Sequence, residues 1–252
     1  MQSEETSVSR KTTGKSVRGN RTISSMELQF MEALLRVEAE AKYFLGATDR
    51  AYEQTLLDEL LKIVGEIESL FGPRDRSYEL LPPRISECGC AHPYVYPLKK
   101  IRIYLSSGSK NRYVASYQLS HEAIHVLGPT QSWTTVLEEG LATWFSRVYT
   151  ERVYGVQFRA PNRWYDAAMR AVAPLLEKNK FVIKELRARQ PLLAEIDEKL
   201  LVEVAGIEPD HAKILCADFE SSWLVGQSWS EYASRGAQIF ATGLRSMWGD
   251  SK

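Results

Sequence analysis

The chain has 252 residues, 44% of them hydrophobic, enough for one sizeable core or one core with a small appendage. Thirty-two basic residues balance 32 acidic ones, so net charge asks for neither nucleic acid nor an anionic membrane as partner. Three cysteines fit a reducing compartment better than a disulfide framework; with no apolar leader and no run near the ~20 residues of a bilayer span, the expectation is cytoplasmic.

Residues 1–25 are rich in Ser, Thr, Gly and basic side chains and are expected to form a disordered tail, leaving residues 26–252 as one domain. From Met26 to Leu45, Leu28, Met31, Leu34 and Leu35 recur at helical spacing. A second helix begins at Asp49, with Leu56, Leu57, Leu60, Leu61, Val64, Ile67 and Leu70 as its apolar stripe and Gly72-Pro73 as its stop. Together these predict a helical hairpin over residues 26–72. Residues 74–92 contain Pro82-Pro83 and the run Cys88-Gly89-Cys90-Ala91-His92, so they read as loop with at most a short strand at Tyr78 to Leu81. No second cluster completes a metal site with those cysteines, and an ordinary reduced loop is the default. Ile101, Ile103 and Leu105 alternate with Arg102 and Tyr104, the period-two signal of a half-buried strand.

The next helix is expected from near Arg112 to Leu127, and it carries His121-Glu122-Ala123-Ile124-His125, the pattern His-Glu-x-x-His. Residues four apart share a helix face, so the two imidazoles can converge on one cation. Glu122 is placed to act on a water at the metal's open position rather than to ligate. After the Gly128-Pro129 break a second helix is predicted from Val136 to about Tyr154, ending before Gly155, with Trp144, Phe145 and Val148 inward. It opens with Glu138-Glu139-Gly140-Leu141-Ala142. Thr135-x-x-Glu138 has the form of a capping box, which gives Glu138 a structural task, and Gly140 suits a close helix contact.

This pair of helices resembles the gluzincin clan of zinc metallopeptidases, in which a segment like Glu139-Gly140-Leu141-Ala142 supplies the third ligand. The resemblance implies Zn2+ held by His121, His125 and Glu139, with Glu122 as general base in a peptidase acting on peptide or protein substrates. Glu139 stands ahead of Glu138 as ligand on the motif match and on geometry together. Thirteen residues separate His125 from Glu139, fewer than in thermolysin-like members of the clan, so inserted substrate-binding structure is missing. The related metzincin pattern fails because Gln131 stands where its third His belongs. In zincin peptidases the strand before the metal helix is an exposed edge that pairs with substrate, which makes residues 101–105 a candidate edge beside the plainer reading as a core strand. A Tyr or His stabilises the oxyanion in related enzymes. Tyr149, Tyr154 and His211 are the candidates here, and Tyr117 could line the cleft.

Residues 162–252 read as a helical part, with Trp164, Ala168, Val172 and Leu176 forming one stripe and Leu193, Ile196, Leu200, Leu201 and Val204 another. Pro191 and Pro209 sit at plausible helix starts, and three Trp after Ser221 are expected to dock on the body. The expected fold is α+β and mostly α-helical: a zincin-like helix pair in a core over residues 94–155, a small sheet near residues 94–106, and helices at both ends. A zinc-dependent peptidase is the leading reading. A non-catalytic metal-binding or scaffolding module on the same fold is the alternative, and a helical interaction protein with accidental histidines is the weakest of the three.

Overall fold

A computed structural model describes residues 50–87, 90–130, 133–161 and 163–219. The expected N-terminal tail, the helix from Met26 to Leu45 with its hairpin turn, and the aromatic stretch after Ser221 lie outside the described residues. Helix α1 (Arg50–Phe71) buries Leu56, Leu60, Ile63, Val64, Ile67 and Phe71. Leu61 is 53% exposed, so the buried stripe is narrower than the apolar pattern. Gly72 ends the helix with φ of 89°, a left-handed conformation that costs a glycine little.

Four short strands follow: β1 (Glu79–Leu80), β2 (Arg84–Ile85), β3 (His92–Tyr96) and β4 (Lys100–Leu105). β4 is central. One of its edges pairs in parallel with β1 and then with β2, and the other pairs antiparallel with β3 in the register His92 to Tyr104 through Tyr96 to Lys100. Pro82 and Pro83 divide β1 from β2 because proline has no N–H for the ladder. Ile101, Ile103 and Leu105 are buried, each contributing about 1.5–3 kcal/mol of apolar transfer. The strand over residues 101–105 therefore has partners on both sides. It is not the free edge that the zincin comparison predicts; among the described residues β1, β2 and β3 each pair only with β4, and of these β3 is the one that lines the cavity described below.

A 3-10 turn at Ser107–Lys110 leads into α2 (Arg112–His125). Asn111 caps α2 by accepting from the N–H groups of Tyr113 and Val114, and the Gln118 amide ties the turn to the helix through Ser106 and Ser109. α3 (Val136–Tyr154) starts at Thr135, whose hydroxyl accepts from the Glu138 N–H, and stops at Gly155 with φ of 66°. It packs against α2 on one side and against α4 (Arg163–Lys178) on the other. Gly140 faces α4 rather than α2: a Cβ there would lie 2.4 Å from the Ala168 carbonyl oxygen and 2.6 Å from Val172 Cγ2. The close approach expected at Gly140 is real, but its partner is the third helix of the layer.

α5 (Val182–Arg189), α6 (Glu198–Ala205) and α7 (Pro209–Cys216) complete the helical end. Pro209 opens α7 as expected, whereas Pro191 precedes only a 3-10 turn at Leu193–Glu195. The helix there starts later, where the Asp197 carboxylate accepts from the Leu200 N–H. After α7 the chain returns to the start of α3, with the Val136 N–H donating to the Ala217 carbonyl and the Phe219 N–H to the Thr134 carbonyl.

Arg187 of α5 joins the ends of α1 and α2. Its buried guanidinium donates to the carbonyls of Phe71, Gly72, Pro73, Leu127 and Pro191 at 2.8–3.0 Å. Burial pushes its pKa down, yet all its N–H donors are used at the carbonyl-rich, negative ends of two helices. No helix among the described residues is long and apolar enough to cross a membrane.

Candidate metal centre

α2 and α3 bring together His121, His125 and Glu139, all buried, with one potential ligand atom from each lying within 4.8 Å of the others. Glu139 Oε2 is 3.2 Å from His121 Nε2, and Glu139 Oε1 is 3.6 Å from His125 Nε2. Among the described residues this is the one group of three or more such side chains that could hold a metal ion. The i, i+4 spacing on α2 sets the two rings edge to face with centroids 5.4 Å apart, and the first turn of α3 brings Glu139 to both.

Glu138 departs from its expected task. Its N–H makes the capping bond to Thr135, but its carboxylate does not fold back to complete the box; Glu138 Oε1 accepts from His125 Nδ1 at 2.9 Å. A carboxylate only accepts here, so Nδ1 carries a proton toward Glu138; Nε2 faces Glu139 and is the nitrogen that a metal ion would take once its own proton is displaced. Glu138 Oε2 and Glu139 Oε2 are both buried and make no well-formed hydrogen bond, although the latter faces His121 Nε2 at 3.2 Å.

The electrostatics favour a cation. Burial opposes charge on His125, but Glu139, Glu138 and Glu122 outweigh it and raise its pKa to about 10. Burial likewise opposes charge on Glu139, and His125, His121 and the Thr134 hydroxyl outweigh it and lower its pKa to about 2. Glu122, next along α2, is different: burial dominates and holds its pKa above the ordinary carboxylate range, with Glu139 adding to the rise against the two histidines. Two imidazoles, a carboxylate with a poorly bonded oxygen and a field of three carboxylates suit a divalent ion of borderline softness.

The cluster opens into a cavity of about 210 Å³ walled by β3 through His92, Pro93 and Val95, by Thr130 and Thr134, and by Tyr165 of α4. Tyr165 packs edge-on to His121 with centroids 5.6 Å apart and is backed by Phe219. Burial, Glu139 and Glu122 raise its pKa, so its hydroxyl stays protonated. His92 stacks on Tyr104 and lies close enough to Glu122 to favour its charged form.

None of the three residues proposed for the oxyanion lines this cavity. Tyr154 donates to Glu59 at 2.6 Å at the far end of α3, roughly 22 Å along the axis from Glu139. Tyr149 packs on Phe145, and His211 Nε2 donates to the Ala171 carbonyl. Tyr117 is buried against Phe158 and is not part of the wall. Tyr165 escaped the sequence pattern although it lies three residues before Ala168 on the α4 face that meets α3. Cys90 is exposed, whereas Cys88 and Gly89 fall outside the described residues. No family model, curated protein or solved structure matches this chain.

Proposed function

We propose that the protein is a zinc-dependent hydrolase that cleaves peptide bonds in the manner of the gluzincins. The observation that carries this reading is the convergence of His121, His125 and an under-bonded Glu139 carboxylate beside buried Glu122, in one cavity flanked by a sheet edge. Zinc held there would supply Lewis-acid activation of a carbonyl and of a water. Glu122, with its raised proton affinity, takes a proton from the attacking water and returns it to the leaving amine. Tyr165, protonated and facing His121, and His92 on β3 replace Tyr149, Tyr154 and His211 as donors to the developing oxyanion.

Substrate is held along β3 instead of β4. An extended peptide adding to the outer side of β3 would pass over the cavity, and Pro93 leaves one position on that strand able only to accept. The partner class is therefore a peptide or protein. The free Cys216 accords with a reducing, cytosolic setting.

The test combines metal analysis with turnover. Purified protein should carry near-stoichiometric zinc, lost in His121→Ala and in Glu139→Ala. Glu122→Gln should keep the zinc and lose at least about 100-fold in cleavage of a peptide library. Zinc-free protein from zinc-replete medium refutes the reading, and zinc without cleavage moves it to a non-catalytic metal-binding module.

A further inference from the structure

We infer that Glu138 is a positioning residue for the metal, acting through His125, which rests on the proposed zinc site. Three observations bear on it. The Glu138 side chain is buried and 2.9 Å from His125 Nδ1. The capping bond at the start of α3 uses the Glu138 backbone N–H, so helix capping does not account for the carboxylate. Its second oxygen, Oε2, has no hydrogen-bond partner, and a buried carboxylate so placed beside Glu139 is unfavourable unless a positive centre offsets it.

The carboxylate does two things for His125. It fixes the Nδ1–H tautomer, leaving Nε2 free to ligate, and it raises the electron-donating power of the ring. Glu138 and Glu139, adjacent on one helical turn, then divide the work: Glu139 meets the ion directly and Glu138 holds the histidine that meets it. A carboxylate one residue from the ligand can serve the other helix because His125 lies on α2, across the α2–α3 contact.

The test measures zinc affinity by chelator competition in the wild type, Glu138→Gln, Glu138→Leu and Thr135→Val. Glu138→Leu should bind zinc roughly 10–100-fold more weakly, and Glu138→Gln, which keeps an acceptor without the charge, should lose less. Cobalt(II) in place of zinc should show altered d–d absorption in both. Thr135→Val, which removes only the helix cap, should lower the melting temperature of the metal-free protein and leave zinc affinity unchanged. If Glu138→Leu fails to fold, the isosteric Glu138→Gln decides. Zinc affinities within twofold of wild type in the folded Glu138 variants, with unchanged cobalt spectra, overturn the inference while leaving the zinc site standing. A wild type that binds no zinc overturns both.

Discussion

Replacing Arg187 with methionine keeps the apolar stem and removes the guanidinium that joins three helices. Five carbonyl oxygens accept from it, and one of them, Leu127 O, keeps a second bond from the Asp75 N–H. Four carbonyls, those of Phe71, Gly72, Pro73 and Pro191, thus lose the guanidinium donor. At about 1 kcal/mol or somewhat more for each poorly rehydrated acceptor, and with the burial cost of the cation relieved, the net loss should be roughly 3–5 kcal/mol. For a domain of this size that corresponds to a fall of about 10 °C in the melting temperature. Arg187→Lys has a charge but lacks the planar fork, so it should recover only part of the loss. Urea unfolding of metal-free protein measures both. A loss below about 1 kcal/mol for Arg187→Met, at unchanged m-value, would refute the assignment of this residue as the clamp on the end of the histidine helix.

Gly140→Ala adds about 1 kcal/mol of helix propensity but drives a Cβ to 2.4 Å from the Ala168 carbonyl, so it should destabilise by about 2 kcal/mol or more in thermal unfolding and disturb metal binding next door. His211 has a depressed pKa because burial outweighs its bond to the Ala171 carbonyl. Its contribution is therefore present above its unfolded pKa near ~6.5 and lost as pH falls toward the folded value, and His211→Gln should flatten stability over that range in pH-dependent melting. Burial, with Glu198 and Asp197, pushes the Cys216 thiol up to about 12, so peptide mapping after iodoacetamide at pH 8 should find Cys90 labelled well before Cys216. Tyr165→Phe should lower kcat more than KM on any cleaved peptide, since a donor to the oxyanion acts mainly in the transition state.

What was legible in the sequence is what local chemistry decides. α3 appears where its periodicity, Thr135 and Gly155 put it, and α2 starts at Arg112 as expected but ends at His125, two residues short of Leu127; Asn111, its cap, acts within one turn of its own position. His121 and His125 share a face for the same reason. The misreadings concern partners supplied by distant chain. Glu138 looked like a cap because its only visible neighbour was Thr135; His125 reaches it across the α2–α3 interface. The pattern of alternation marked β4 as a strand but carried no information on its neighbours, and β1, β2 and β3 take both of its edges. Tyr165 and Arg187 had no local signal of function, since each acquires its role from helices or loops many residues away.

The burial of Glu122, Glu138 and Glu139 around two histidines weighs against a helical interaction protein with accidental histidines. In a scaffold without a cation, apolar side chains of similar volume would fill the α2–α3 seam at lower cost, as buried ionic groups add little stability of their own. Here the seam keeps three carboxylates, two with an oxygen that makes no well-formed hydrogen bond, at the point where α3 is pressed onto α4 through Gly140. That contact brings Tyr165 alongside His121, so the same close approach that needs a glycine also closes the cavity wall. Buried charge and a helix-weakening glycine gathered at one small cavity are what the proposed cation site would require, and the zinc analysis of the wild type decides whether the His–Glu ion pairs there stand in for a metal.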